Sequence, residues 1–166
     1  LTKFLILNYH KITLKIKQCL NQRLNMERGI MGELLRAGLD VGSTTVKLII
    51  INNDGHIIYK DYRRHFTDTR KHTAQILIDA RRQLGDEPLT LLVTGSAGLA
   101  IASWLEIKHI QEVIACNHAI ENYIPQTDVA IELGGEDAKI TFFRNGLDQR
   151  MNGICAGGTG AFIDQM

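Results

Sequence analysis

Asp40-Val41-Gly42-Ser43-Thr44-Thr45 is the stretch whose reading decides the fold of this chain. A short apolar entry, Ala37-Gly38-Leu39, leads into it, and Val46-Lys47-Leu48-Ile49-Ile50-Ile51 comes next with the β-branched density of a buried strand. Two apolar runs joined by Gly42-Ser43-Thr44-Thr45 predict a hairpin whose tight turn offers backbone N–H groups and hydroxyls. Such a nest of donors suits a phosphate. Asp40 stands at its mouth, where a bare carboxylate repels an anion, so its natural partner is Mg2+, held directly or through water. Lys47 can add a point charge against the same phosphate. The plainer alternative is an ordinary hairpin with an aspartate before its turn.

Around this stretch the chain has the composition of one globular domain: 166 residues, 45% apolar and 22% charged. Its net charge of +1 hides an asymmetry. Residues 1–30 hold six Lys/Arg against one Glu, leaving 13 against 17 in the remainder. The acidic remainder gives no reason to expect nucleic acid as a partner. Cys19, Cys116 and Cys155 show neither CxxC spacing nor an even-numbered framework, which points to a reducing, cytoplasmic compartment. No apolar run approaches a membrane span, so no membrane partner is expected.

Residues 1–30 read as foreign to the rest of the chain. The chain begins with Leu, and Glu27-Arg28-Gly29-Ile30 before Met31 can be encoded by a purine-rich run like a bacterial ribosome-binding site. The expectation is a mis-assigned start with Met31 as the first residue; a basic arm is the alternative. The body is expected over 31–150, and a cysteine motif with the start of a truncated helix over 151–166.

From Ala37 the pattern is regular. Asn52-Asn53-Asp54-Gly55 turns the hairpin into a third strand near His56–Tyr62. A helix over 72–84 places Ile76, Leu77, Ala80 and Leu84 on one face. Leu89-Thr90-Leu91-Leu92-Val93-Thr94 has no polar face and predicts a central parallel strand buried on both sides. A short helix near Leu99–Leu105 comes next, then an amphipathic one marked by Ile110, Val113, Ile114, Ile120 and Ile124 and stopped by Pro125.

Val129-Ala130-Ile131-Glu132-Leu133 then runs into Gly134-Gly135-Glu136-Asp137, and Ala138–Phe143 resumes as a strand turning at Asn145-Gly146. This second hairpin repeats the first: apolar strand, acid, glycine turn, then Lys139 leading the next strand. The two could clamp a polyphosphate from both sides with Mg2+ between them, Asp40 and Glu132 serving as direct or outer-shell ligands. There is no GxxxxGK(S/T), so a P-loop is excluded, and no well-placed GxGxxG for a dinucleotide fold. The order βββαβα with a further hairpin predicts an α/β fold, a mixed sheet with helices packed on it.

Asp40-Val41-Gly42-Ser43-Thr44 with Lys47, and Glu132-Leu133-Gly134-Gly135-Glu136-Asp137, resemble the two phosphate loops of the actin, sugar-kinase and Hsp70 ATPase superfamily, whose domains have a ribonuclease H-like sheet. Met151-Asn152-Gly153-Ile154-Cys155-Ala156-Gly157-Gly158-Thr159-Gly160 is similar to the cysteine motif of the activator ATPases of 2-hydroxyacyl-CoA dehydratases and benzoyl-CoA reductases. Thr94-Gly95-Ser96 and Cys116-Asn117-His118-Ala119 fall where that family has a TG loop and a Cys-His stretch. The resemblance implies an ATPase, with Asp40 and Glu132 catalytic and Asp40 facing Mg2+. It places ATP against Gly42, Ser43, Thr44, Thr45, Lys47, Gly134, Gly135, Glu136 and Asp137.

It further implies a homodimer sharing one 4Fe–4S cluster, with Cys155 as a ligand, that passes a low-potential electron to a dehydratase or reductase component. Four thiolates across two chains require two from each. The family's second cysteine ligand and its second, nucleotide-closing domain lie further along than Met166, so the resemblance covers a first domain, truncated at its C-terminus. Glu132 departs from the Asp of the shorter family members. A sugar or acid kinase of the same superfamily and a non-catalytic fragment of the fold are the alternatives, and the Cys155 motif argues against the kinase. Glycines around Cys155 suit a cluster ligand, a reactive thiol or a small buried residue alike. Cys116 reads as core, His118 as a solvated or helix-packed imidazole, and Trp104 as a packing residue.

Overall fold

The structure, a computed structural model, describes residues 34–135, 137–143 and 148–153. The doubtful extension over 1–30, Glu136, the expected turn at Asn145-Gly146, and Cys155 with its motif from Ile154 onward lie outside the described residues. In chain order the elements are β1 (Leu35–Val41), β2 (Thr45–Ile51), β3 (Ile57–Arg64), α1 (Thr69–Leu84), β4 (Leu89–Thr94), α2 (Gly98–Leu105), α3 (Glu112–Tyr123), β5 (Val129–Leu133), β6 (Ala138–Phe142) and β7 (Asp148–Met151). β7 crosses the boundary expected at 150/151.

β1, β2 and β3 form an antiparallel meander, and β4 adds parallel to β1, giving a four-stranded mixed sheet of order β3-β2-β1-β4. Alternation along the strands sorts the sheet's faces. Leu35, Leu39, Val41, Val46, Leu48, Ile50, Tyr59 and Val93 turn to one side. There they meet Ile76 and Ala80 of α1 and Ile101, Ala102 and Leu105 of α2, forming the core. The β2–β3 turn forms because Gly55 takes a left-handed φ of 84° and Asn52 Oδ1 accepts the His56 N–H at 2.8 Å. α1 starts before the expected residue 72 because the Asp68 side chain caps it, accepting the Lys71 N–H at 3.3 Å.

β5, β6 and β7 make a separate antiparallel three-stranded sheet, so the second glycine hairpin does not join the first sheet. β4 is therefore an edge strand, not the central one its apolar run predicts. Leu92 is 40% exposed, and Leu89 and Leu91 are only partly buried. Among the described residues only an extended segment lies beyond β4, where Val93 donates to the Lys108 carbonyl and accepts from the Ile110 N–H. α3 is weakly embedded too: Ile120 is its buried residue and Ile114 is 50% exposed.

Candidate functional site

The face of the four-stranded sheet opposite α1 and α2 carries Gly38, Asp40, Lys47, Ile49, Tyr62, Leu92 and Thr94, and with Ile110 and Ala115 these line a cleft of about 700 Å3. Asp40 and Lys47 reach it because they alternate with the core residues Leu39, Val41, Val46 and Leu48. The turn between β1 and β2 fixes the register, which sets Asp40 directly opposite Lys47 and, across β1–β4, beside Thr94. Lys47 Nζ donates to Asp40 Oδ2 at 2.7 Å. The other carboxylate oxygen, Oδ1, is buried without a hydrogen-bond partner among the described residues, as is Thr94 Oγ1. Gly95 makes room for it: φ is 95°, and a Cβ there would stand 2.5 Å from Asp40 Oδ1 and against the Val41 carbonyl.

The first turn is held from behind. Gly42 N–H donates to the Thr45 carbonyl at 2.9 Å, closing the hairpin. His65, 3% exposed, lies just after β3 and donates its backbone N–H to the Thr44 carbonyl at 3.1 Å. Its ring Nε2 lies 3.1 Å from the Gly42 carbonyl, an acceptor, which assigns the proton to Nε2. Among the described residues the Ser43 and Thr44 N–H groups are left without an acceptor. His65 carries no sequence motif, and its place just after a strand is the only local signal that could have pointed to it.

The second turn closes through the Gly134 N–H donating to the Asp137 carbonyl at 2.8 Å. Gly135 sits directly on Thr44: a Cβ at Gly135 would be 2.5 Å from Thr44 Oγ1 and 2.6 Å from its Cγ2. The two turns thus touch tip to tip, Thr44 of one against the backbone of the other. Behind the second turn, Lys139 binds three carboxylates. Its Nζ is 2.7 Å from Glu112 Oε2, 3.5 Å from Asp137 Oδ2 and 3.6 Å from Glu132 Oε1.

Charge is distributed unevenly in this cluster. Burial, and then the neighbouring Glu112 carboxylate, push the Glu132 carboxyl above the usual carboxylate range. Burial opposes ionisation of Glu112 as well, but its bonds to Lys139 and Glu132 and the nearby Lys47 outweigh that and hold it low. Burial likewise works against the Lys139 ammonium, and Glu112, Glu132 and Asp137 overcome it. Cys116 is half-buried rather than core, its thiol pushed up by burial and by Glu132 and Glu112. His118 is exposed, with Asn122 donating to its carbonyl at 2.7 Å, and Trp104 packs on the core under the Arg70 guanidinium.

The structure therefore brings Asp40, Lys47, Thr94 and Gly95 together at one turn, and Glu132, Gly134, Gly135 and Asp137 at another, with Thr44 and Gly135 in contact. Glu112 is an addition that reading the sequence missed; it lies in the first turn of α3, 27 residues before its partner Lys139. For Mg2+ the donor chemistry fits: hard oxygen atoms, one of them an unpartnered buried carboxylate oxygen, suit an ion that takes one or two carboxylates and completes its shell with phosphate and water. No group of three or more His, Cys, Asp and Glu side chains among the described residues could enclose a metal by itself. No helix among the described residues is long and apolar enough to cross a membrane.

The BadF/BadG/BcrA/BcrD ATPase family matches residues 37–166. The (R)-2-hydroxyglutaryl-CoA dehydratase activating ATPase of Acidaminococcus fermentans is 31% identical over 135 residues, covering 78% of this chain and 51% of that protein. The 2-hydroxyisocaproyl-CoA dehydratase activator of Clostridioides difficile is 31% identical over 133 residues, covering 78% of this chain and 50% of its own length. Its solved structure, with ADPNP bound, superimposes at a TM-score of 0.66 and 30% identity over 80% of this chain and 51% of that one. The chain spans about half the length of the relatives it matches. Its mixed α/β sheet is that of the actin-like activator ATPases.

Proposed function

The chain belongs to the BadF/BadG/BcrA/BcrD ATPase family, and on that premise we propose that its two glycine turns form the phosphate-gripping part of an ATP site. One observation carries this reading: Gly135 seats on Thr44 with no side chain between, so a single polyphosphate lying over the contact meets donors from both turns. Ser43 and Thr44 contribute backbone N–H groups from one side, and Gly135 contributes backbone from the other. Thr45 anchors the first turn through its carbonyl.

Asp40 is the carboxylate that faces Mg2+. Its Lys47 partner is 43% exposed and held by an ion pair of the kind worth about 0–1 kcal/mol, so the ammonium is free to move from Asp40 to a phosphate oxygen. Bound Mg2+ supplies charge neutralisation between the phosphates. Glu132, raised in pKa by burial and by Glu112, has the character of a carboxylate that orients and accepts a proton from an attacking water. Asp137 and Lys139 hold its hairpin.

The activity proposed is ATP hydrolysis that drives a conformational change in an activator. That change would present a low-potential electron to a 2-hydroxyacyl-CoA dehydratase-type component. Differential affinity of nucleotide for two arrangements is the only way such a ligand can move the equilibrium. Cys155 is assigned as one ligand of a 4Fe–4S cluster shared across a homodimer. The similarity of its motif and the dehydratase-activator relatives support this.

Anaerobic reconstitution of the full-length protein with iron and sulfide tests the assignment. A brown protein with nucleotide-dependent hydrolysis, losing its colour but not its ATP binding in Cys155→Ala, is expected. A colourless protein that phosphorylates a small alcohol or acid would instead identify a kinase.

A further inference from the structure

We propose that His65 is the positioning residue of the first glycine turn, holding the Gly42 carbonyl so that the Ser43 N–H faces outward as a phosphate donor. The inference rests on the ATP-site reading and adds a residue to it. Gly42 C=O and Ser43 N–H belong to one planar trans peptide unit and point in opposite directions. Whatever fixes the carbonyl therefore aims the amide. His65 fixes it, with Nε2 3.1 Å from the Gly42 oxygen across 23 residues of sequence.

A second bond from the same residue steadies the far side of the turn, the His65 backbone N–H donating to the Thr44 carbonyl at 3.1 Å. Two of the turn's carbonyls thus point toward His65, and the Ser43 and Thr44 N–H groups find no acceptor among the described residues. A turn without this tether could rotate the Gly42–Ser43 peptide and satisfy the amide elsewhere.

The histidine is itself held firmly. It is 3% exposed, so its ring cannot swing to solvent without displacing neighbours. The chain leaves it through two successive left-handed residues, Phe66 at φ 44° and Thr67 at φ 69°, neither of them glycine. Asp68 N–H closes that bend on the His65 carbonyl at 2.8 Å and its side chain then caps α1. The ring's other nitrogen, Nδ1, is buried with no partner among the described residues. A residue chosen for packing alone would carry no such orphan, because a phenylalanine fills the same space without one. Among the described residues, the one contact that explains an imidazole here is the bond to the first glycine turn.

His65→Phe keeps the ring and removes the donor; His65→Gln keeps a donor near the position of Nε2 and removes the ring. Each is compared with the wild-type full-length protein by 15N relaxation at Ser43 and by titration with Mg·ADPNP followed at the same amide. The Ser43 order parameter is expected to fall from about 0.85 to below about 0.6 in His65→Phe and to hold in His65→Gln. Affinity for Mg·ADPNP is expected to drop about tenfold in His65→Phe and to stay within about twofold in His65→Gln, with the His65→Phe unfolding temperature undiminished. A rigid Ser43 and unchanged affinity in His65→Phe, or equal losses in both variants, overturns the proposal. If the wild-type full-length protein does not bind Mg·ADPNP, the ATP-site reading fails; the order parameters then decide the His65 tether by themselves, loss in His65→Phe alone upholding it and any other result refuting it.

Discussion

Replacing Gly135 by alanine puts the contact between the two turns under direct strain. The new Cβ would stand 2.5 Å from Thr44 Oγ1, 2.6 Å from Cγ2 and 3.1 Å from Cβ. Non-bonded heavy atoms settle at about 3.5–4.0 Å, so the turns must part by about 1 Å. Rotating Thr44 about χ1 exchanges its oxygen and methyl but leaves its own Cβ too close. Forcing one methyl into a packed contact costs about 1–3 kcal/mol. Separation of the turns converts that cost into weaker binding of any ligand that bridges them, by about 5- to 150-fold. In Thr44→Ala the two nearest atoms are gone, so adding Gly135→Ala to that background should cost under about 1 kcal/mol. A double-mutant cycle over the four proteins, read by calorimetric titration with Mg·ADPNP and by thermal unfolding, isolates the coupling. Gly135→Ala binding as tightly as wild type, or showing the same loss with and without the Thr44 side chain, would refute the tip-to-tip geometry.

Other outcomes are expected from the same structure. Gly95→Ala sets a side chain against Asp40 Oδ1 and the Val41 carbonyl at a φ of 95°, and is expected to destabilise the chain by about 2–4 kcal/mol in chemical denaturation. Asp40→Asn removes an ion pair with a side chain 43% exposed, so stability should change by less than about 1 kcal/mol while Mg2+ no longer strengthens ADPNP binding; retained Mg2+ dependence removes Asp40 from its role. Arg63 bonds Asp61 and Asp79, and its guanidinium holds both carboxyls below the usual range. Their contribution is therefore present above the unfolded value of about pH 4 and is lost as pH falls through the lowered folded values, so Arg63→Ala should flatten the acid limb of the stability profile and leave an unchanged difference above it.

Local features were legible and tertiary ones were not. The β1–β2 hairpin, the Asn52–Gly55 turn and α1 each announce themselves by alternation, by a left-handed glycine or by a helical stripe, all carried within a few residues. β4 misleads because its leucines are all apolar while only Val93 is fully buried. Leu92 faces the cleft, and an apolar run cannot say whether another strand covers it. Ile49 on β2 is the same case, 41% exposed on the cleft side of a strand that reads as buried.

At the candidate site both acid-glycine turns stood out, but the sequence aimed Lys47 at the phosphate, and only the register of β1 and β2 sets it opposite Asp40. Glu112 and His65 left no trace. Their roles arise from contacts spanning 27 and 23 residues, set by where α3 begins and β3 ends beside the turns, and no local pattern records such a meeting.

The central claim is that one magnesium-bound polyphosphate is gripped by both turns together. A crystal grown with Mn2+ in place of Mg2+ and ADPNP tests it most directly, through anomalous scattering of the ion. The ion is expected about 2–2.2 Å from an Asp40 oxygen, or one water further, with phosphate oxygens against both the Ser43–Thr44 and the Gly134–Gly135 backbone. An ion remote from Asp40, or phosphates resting on one turn with the other untouched, contradicts it.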